Sequence, residues 1–227
     1  MKLKFLGKGA CFYPAFYNTS AYFVYKDNLI LIDCGETVYE RLLETEKIDS
    51  YKNIYVVITH LHADHVGSLG SLISYCAYIL KKKITVVHPE YKLCELLTLM
   101  GIDDNAYIYV QEFGSLIEGL KITKVNVQHA VNMKCYGYEI EYDDVHIYYS
   151  GDASNLPKEI LDGFLNRSIT DVYQDTSTHD LDSASHMYFG KLEELIPSEL
   201  RKHVYCMHLD CDCCNDLKNR GFSIAGQ

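Results

Sequence analysis

The sequence predicts an α/β fold with mixed β-sheet, and three observations carry that prediction. Short β-branched runs recur along the chain, as at Ile54-Tyr55-Val56-Val57-Ile58 and Ile84–Val87, and read as strands buried on both faces. Between them apolar residues return at helical spacing, as at Leu69, Leu72, Ile73, Cys76 and Leu80. With 227 residues and 48% hydrophobic content the chain can bury a sizeable core, so one domain over 1–227 is expected. Periodicity alone supports a mixed-sheet α/β fold. Strands in blocks interrupted by helices are also what a four-layer αββα sandwich would show.

In order, Lys2 to Leu6 alternates as a strand, and Gly7-Lys8-Gly9-Ala10 breaks it. Residues 11–18 form an aromatic-rich loop. Strands at about 20–25 and 28–33 meet at the short polar turn Lys26-Asp27-Asn28. Asp33-Cys34-Gly35-Glu36 ends the second of these, and Val38 and Leu42 mark the next helix. After the strand at 54–58 come the helix over 69–80 and the strand Ile84–Val87; Pro89 then opens a helix to about Met100. Residues 107–127 read as strands, the last being Lys121–Val127. Two more, about 135–142 and 145–150, turn at Asp143-Asp144. Leu156, Ile160, Leu161, Phe164 and Leu165 form one helix face, opened by Ser154 or Asn155 with Pro157 in the first turn. A strand Asp171–Tyr173, a helix from about Ser185 to Ile196 and a strand His203–Met207 close the core.

Composition narrows the partners. The net charge is −10, and the only basic run, Lys81-Lys82-Lys83, reads as a helix end. A long polyanion is held mainly by Lys and Arg on its phosphates, so long nucleic acid is disfavoured and a small substrate favoured. No run of apolar residues is long enough to cross a membrane, and the first residues lack the apolar stretch of a signal peptide. The nine cysteines are odd in number and scattered, which fits a reducing, cytoplasmic setting.

The chemistry concentrates in Thr59-His60-Leu61-His62-Ala63-Asp64-His65, straight after a buried strand. On extended chain, side chains 60 and 62 point the same way, and Asp64 and His65 follow as the chain bends into a helix. Imidazole and carboxylate suit zinc, or less selectively iron or manganese. One ion rarely takes four ligands from one turn, so two ions are expected. His129, Asp152 and His208 each follow a strand end, where ligands can converge at one rim of a sheet. His88, His146 and His203 match no ligand position.

Together these motifs resemble the metallo-β-lactamase-fold hydrolases over nearly the whole chain. The resemblance rests on Asp33-Cys34-Gly35, the histidine cluster, His129, Ser150-Gly151-Asp152 and Met207-His208. It implies the αββα four-layer sandwich and two divalent metal ions: zinc first, with Mn2+ or Fe2+ as alternatives. His60, His62 and His129 would hold one ion; Asp64, His65 and His208 the other, with Asp152 bridging. His62 departs from the diiron branch, which has glutamate there. Phe5-Leu6-Gly7-Lys8-Gly9-Ala10 and Asp33-Cys34-Gly35-Glu36 look like the ribonuclease Z branch. Where that branch has His-Glu-Ala-Thr and His-Ser-Thr, this chain has Tyr173-Gln174-Asp175-Thr176 and His186-Met187-Tyr188. Only 22 residues separate His129 from Asp152, too few for a tRNA-gripping arm. An acidic, armless chain of this branch looks more like the small cyclic-nucleotide phosphodiesterases of the anti-Pycsar type, which work as homodimers.

The resemblance implies hydrolysis of a small nucleotide, 3′,5′-cyclic mononucleotides favoured, by attack of a metal-bridging hydroxide on phosphorus. Asp64 would orient the hydroxide, His186 would protonate the leaving alkoxide, and Asp175 would orient His186 or a metal ligand, with His179 a substitute for either. Phe12, Tyr13 and Tyr17 could stack a base. Alternatives are a tRNA 3′-end endonuclease and a thioester or lactone hydrolase. Cys211, Cys213 and Cys214 could take a third metal or form disulfides, but a tail of exposed thiols is the expectation.

Overall fold

The computed structural model describes residues 3–180 and 185–227; Lys2, where the first strand was expected to begin, lies outside them. The chain divides into two units with one sheet each: residues 3–7 with Tyr17–Phe113, and Lys8–Phe16 with Gly114–Gln227.

The first unit runs β1 (Lys4–Gly7), β2 (Ser20–Tyr25), β3 (Asn28–Ile32), α1 (Val38–Thr45), β4 (Asn53–Val57), α2 (Ala63–Val66), α3 (Leu69–Ser74), β5 (Ile84–Val87), α4 (Lys92–Leu99) and β6 (Tyr107–Val110). Its six strands lie in sequence order, β1 to β3 as an antiparallel meander and β3 to β6 in parallel. Lys26 makes the β2–β3 turn with left-handed backbone, φ 52°. Every residue of β3 is buried, as a central strand covered on both faces must be. Leu29 and Leu31 pack with Val38, Leu42, Val56, Leu72 and Leu97, each such burial worth about 1.5–3 kcal/mol. The expected helix over 69–80 is in fact α3 followed by a π-helical turn, Tyr75–Ile79. That wide turn buries Cys76 while Tyr75 packs edge-on to Tyr39, and Lys81 ends it with φ 55°.

The second unit runs β7 (Gly114–Ile117), β8 (Leu120–Val127), β9 (Cys135–Tyr142), β10 (Val145–Tyr149), α5 (Lys158–Leu165), β11 (Asp171–Asp175), α6 (Phe189–Leu195), β12 (Val204–Met207), α7 (Cys214–Asn219) and β13 (Ser223–Ile224). The sheet order is β13-β12-β11-β10-β9-β8-β7. Strands β7 to β10 are antiparallel neighbours and β10 to β13 parallel ones. Since β8 and β10 each oppose β9, the C-terminal ends of β8, β10, β11 and β12 share one sheet edge. Side chains at that edge can meet.

Several expectations shift. β11 runs two residues further than Tyr173, which puts Gln174 and Asp175 in the sheet, paired with Cys206 and Met207. The helix expected from Ser185 begins at Phe189, and that expected from Pro89 begins at Lys92. The C-terminal thiols are not an exposed tail. Cys214 is buried in α7, Cys211 and Cys213 are half-buried, and the chain goes on to add β13 to the sheet. The apolar signal was there in Leu217, Phe222 and Ile224, all buried, but the segment is too short for its period to show.

Candidate metal centre

In the first unit the histidine turn is built on Asp33. This residue follows β3 with left-handed backbone, φ 63°, a conformation costing a non-glycine residue on the order of 1–3 kcal/mol. Its carboxylate is fully buried and accepts from the Thr59 amide at 2.8 Å and the Thr59 hydroxyl at 2.9 Å. The same carboxylate lies 2.8 Å from His65 Nδ1. A carboxylate only accepts, so His65 carries its proton on Nδ1 and turns Nε2 the other way, 3.3 Å from Asp64 Oδ2. Thr59 Oγ1 lies 3.1 Å from His60 Nδ1, and with its own hydrogen on Asp33 it accepts from that nitrogen. His60 Nε2 then faces His62 Nδ1 at 2.9 Å.

Gly35 explains why this turn follows the Asp-Cys-Gly motif. A β-carbon there would sit 1.8 Å from the Asp64 carbonyl oxygen. The closeness is held by backbone bonds from Cys34 to the His65 carbonyl (2.8 Å) and from Ser68 to the Cys34 carbonyl (3.1 Å).

In the second unit His129, Asp152, Asp175 and His208 sit just past or at the ends of β8, β10, β11 and β12. Asp175 is the hub. It is fully buried, its Oδ2 accepts from the Ala153 amide at 2.9 Å and lies 2.7 Å from His186 Nδ1, and its Oδ1 is 3.6 Å from His208 Nδ1. The Asp175 amide in turn donates to Ser150 Oγ at 2.9 Å. Asp152 Oδ2 lies 3.3 Å from His208 Nε2 and 3.6 Å from His129 Nε2. His129 Nδ1–H donates to the Ser185 carbonyl at 2.8 Å. His208 has φ 55°, a left-handed residue after a parallel strand like Asp33. The His186 ring stacks on His208, centroids 4.9 Å apart and 17° from coplanar. Burial pulls the His186 imidazole toward neutrality, but the Asp175 carboxylate outweighs that and holds it above its ordinary range.

These residues fit divalent metal ions on two counts. The donor set is imidazole and carboxylate, the ligand types of zinc, iron and manganese. His60, His65 and His129 each have one nitrogen held by a hydroxyl, carboxylate or carbonyl, which orients the other as a lone pair. The remaining histidines are engaged elsewhere: His88 with the Ile58 carbonyl at 3.0 Å, His146 with Glu139 at 2.9 Å, His203 with Asp171 at 3.1 Å. His179 is 71% exposed and points toward Asp210 at 3.8 Å. Phe12 is almost wholly exposed, and the Tyr17 ring lies under the Arg41 guanidinium.

The family model of the Anti-Pycsar protein Apyc1 matches residues 1–224. The chain belongs to that family. An Anti-Pycsar protein Apyc1 of Bacillus phage 010DV004 is 37% identical over 237 residues, covering 92% of this chain and 88% of that protein. A ribonuclease Z of Metallosphaera sedula is 38% identical over 166 residues, covering 70% of this chain and 54% of that protein. The solved metallo-beta-lactamase fold protein YhfI from Bacillus subtilis superposes with a TM-score of 0.74 at 16% identity, over 98% of this chain and 93% of that one. The fold is thus the metallo-β-lactamase αββα sandwich, and the chain is a metal-dependent phosphodiester hydrolase. Among the described residues no helix is long and apolar enough to cross a membrane.

Sequence reading gave Asp33, Thr59 and Ser150 no role. For Asp33 the signal was a carboxylate placed directly after the unbroken apolar run of β3, where an acid stays only if something nearby satisfies it.

Proposed function

We propose that this chain hydrolyses cyclic nucleotides, 3′,5′-cyclic mononucleotides above others, at a two-metal centre. His60, His62 and His129 hold one ion, Asp64, His65 and His208 the other, and Asp152 serves both; zinc is the favoured metal. Residues 1–227 are read as one domain, and the family resemblance supports a homodimer. The observation that carries the reading is the fixing of three ligand imidazoles from behind, His60 by Thr59, His65 by Asp33 and His129 by the Ser185 carbonyl. Such backing fixes the tautomer and ring orientation that a metal ligand needs.

When bound, the two ions supply charge neutralisation at the phosphate and a water of lowered pKa. Asp64, buried at the start of α2, orients the attacking oxygen through its carboxylate. His186 donates a proton to the leaving ribose oxygen. Asp175 holds His186 Nδ1 at 2.7 Å, so Nε2 is the nitrogen presented for that donation. The net charge of −10 does not attract a polyanion, which supports a small substrate.

The test is a turnover panel of 3′,5′-cyclic mononucleotides, 2′,3′-cyclic nucleotides, bis-(p-nitrophenyl) phosphate and a tRNA precursor, with metal-loaded protein beside Asp64→Ala. Cleavage of cyclic mononucleotides, lost in the variant, is the expected result. The ribonuclease Z likeness favours a second reading, tRNA 3′-end cleavage. Cleavage of the precursor alone would establish that one. No turnover of any phosphodiester would sink both and turn attention to thioesters and lactones.

A further inference from the structure

Past His208 the chain makes one more cluster that the hydrolytic reading does not use. Leu209 is buried and pairs its backbone with Lys8 and Ala10, which fixes the start of the turn Asp210-Cys211-Asp212-Cys213 before α7. A second segment, Ser177-Thr178-His179, meets this turn. Asp210 Oδ2 accepts from Ser177 Oγ at 2.7 Å and from the Thr178 amide at 2.9 Å, and Oδ1 accepts from Thr178 Oγ1 at 3.0 Å. The Cys213 amide donates to the Cys211 carbonyl at 3.0 Å, which curls the turn and brings its two thiols to one side.

Donor atoms of Asp210, Cys211 and Cys213 all lie within 4.8 Å of one another. Thiolate binds zinc at about 2.3 Å, so two donors on one tetrahedral ion sit roughly 3.8 Å apart. The cluster is within a small side-chain movement of that spacing. His179 Nε2, 3.8 Å from Asp210 Oδ2 and on an exposed side chain, is free to swing to a fourth position. Burial pushes the Cys213 thiol well above its usual range, and the neighbouring Cys211 thiol and Asp210 carboxylate push the same way. A cation among these groups removes that penalty and releases the thiol protons.

We propose that Asp210, Cys211 and Cys213, with His179 as fourth ligand, form a separate site for a thiophilic divalent cation such as zinc. The ion would tie the turn after β12 to the segment that follows β11, the segment leading on to His186. The site is structural: four protein donors leave no open position for substrate.

The experiment uses the full chain loaded with cobalt(II). Neither imidazole nor carboxylate gives a sulfur-to-cobalt charge-transfer band, so that band reports this cluster and is blind to the histidine centre. The expected result is a strong band in the wild-type protein, its loss in Cys211→Ser/Cys213→Ser, and one fewer bound metal per chain in the variant. A wild-type spectrum without the band, or a band that survives in the variant, would overturn the proposal. Should the variant not fold, alkylation of the wild-type protein with and without zinc decides. Protection of Cys211 and Cys213 by zinc, mapped by peptide mass spectrometry, supports the site, and equal labelling refutes it. None of these outcomes depends on which phosphodiester the enzyme cleaves.

Discussion

The two units bring their proposed ligands together in opposite ways. In the first, four ligands lie within six residues on the single turn after β4, and one buried carboxylate, Asp33, braces it. In the second, three ligands are spread from residue 129 to residue 208, and a sheet edge with Asp175 at its centre gathers them. A contiguous site depends on local backbone geometry, whereas a dispersed one depends on strand register. A one-residue slip of β12 against β11 would turn His208 to the other face of the sheet, while no such slip can scatter His60 from His62.

The sharpest way to break this comparison is to delete one ligand from each kind of site. His62→Ala and Asp152→Ala are each expected to reduce turnover to background and to lower bound metal, read by steady-state kinetics and metal analysis. Near-normal activity in either variant would mean that the substituted residue is not a ligand of the centre.

The next effect in size concerns His186. His186→Ala should lower kcat on a cyclic nucleotide by about 10²–10⁴-fold, the usual contribution of a general acid. On bis-(p-nitrophenyl) phosphate, whose leaving group needs no proton, the loss should be far smaller. Equal losses on both substrates would assign His186 to holding His208 and His129 rather than to proton donation.

The braces come third. Asp33→Asn and Asp175→Asn should each weaken metal affinity or activity by roughly 10–100-fold. Asp33→Asn should act on metal affinity alone, since among the described residues its carboxylate bonds to Thr59 and His65, whereas Asp175→Asn should also lower kcat through His186. Gly35→Ala tests the same local brace by steric means, because its new β-carbon meets the Asp64 carbonyl; metal content should fall while the second unit keeps its fold.

The smallest effect lies away from the centre. Glu46 accepts hydrogen bonds from Tyr22 at 2.8 Å and Tyr51 at 2.5 Å, with Lys4 beside it at 3.4 Å. Burial raises its pKa, but the tyrosines and the lysine outweigh burial and hold it below the ordinary carboxylate value. Its contribution is therefore present above the unfolded pKa and lost as pH falls through the folded one. Glu46→Gln should cost no more than about 1 kcal/mol at neutral pH, and the deficit should vanish in acid, measured by denaturant unfolding.

The same contrast governs what the sequence disclosed. The histidine turn was legible because its ligands are neighbours and its strand is an unbroken apolar run. His129, Asp152 and His208 were legible only as single polar residues at strand ends, and needed the family motif to be joined. Asp175 was marked by motif position, but its reach to His186, His208 and the Ala153 amide depends on β11 continuing through Gln174, which the strand expected to stop at Tyr173 hid. The helix expected over 69–80 was misjudged where its regular period gives way to a π-helical turn that buries Cys76. The final strand β13 is two residues long, below what any periodicity can register.

Asp33 has a further consequence. Its bonds to Thr59 and His65, and the close passage of Gly35 under Asp64, are made by protein atoms alone. The ordering entropy of the ligand turn is therefore spent when the first unit folds, not when an ion arrives. A preorganised cradle of this kind lets metal exchange proceed without local refolding, and its affinity then reports the chemistry of the ion more than the cost of assembling the site.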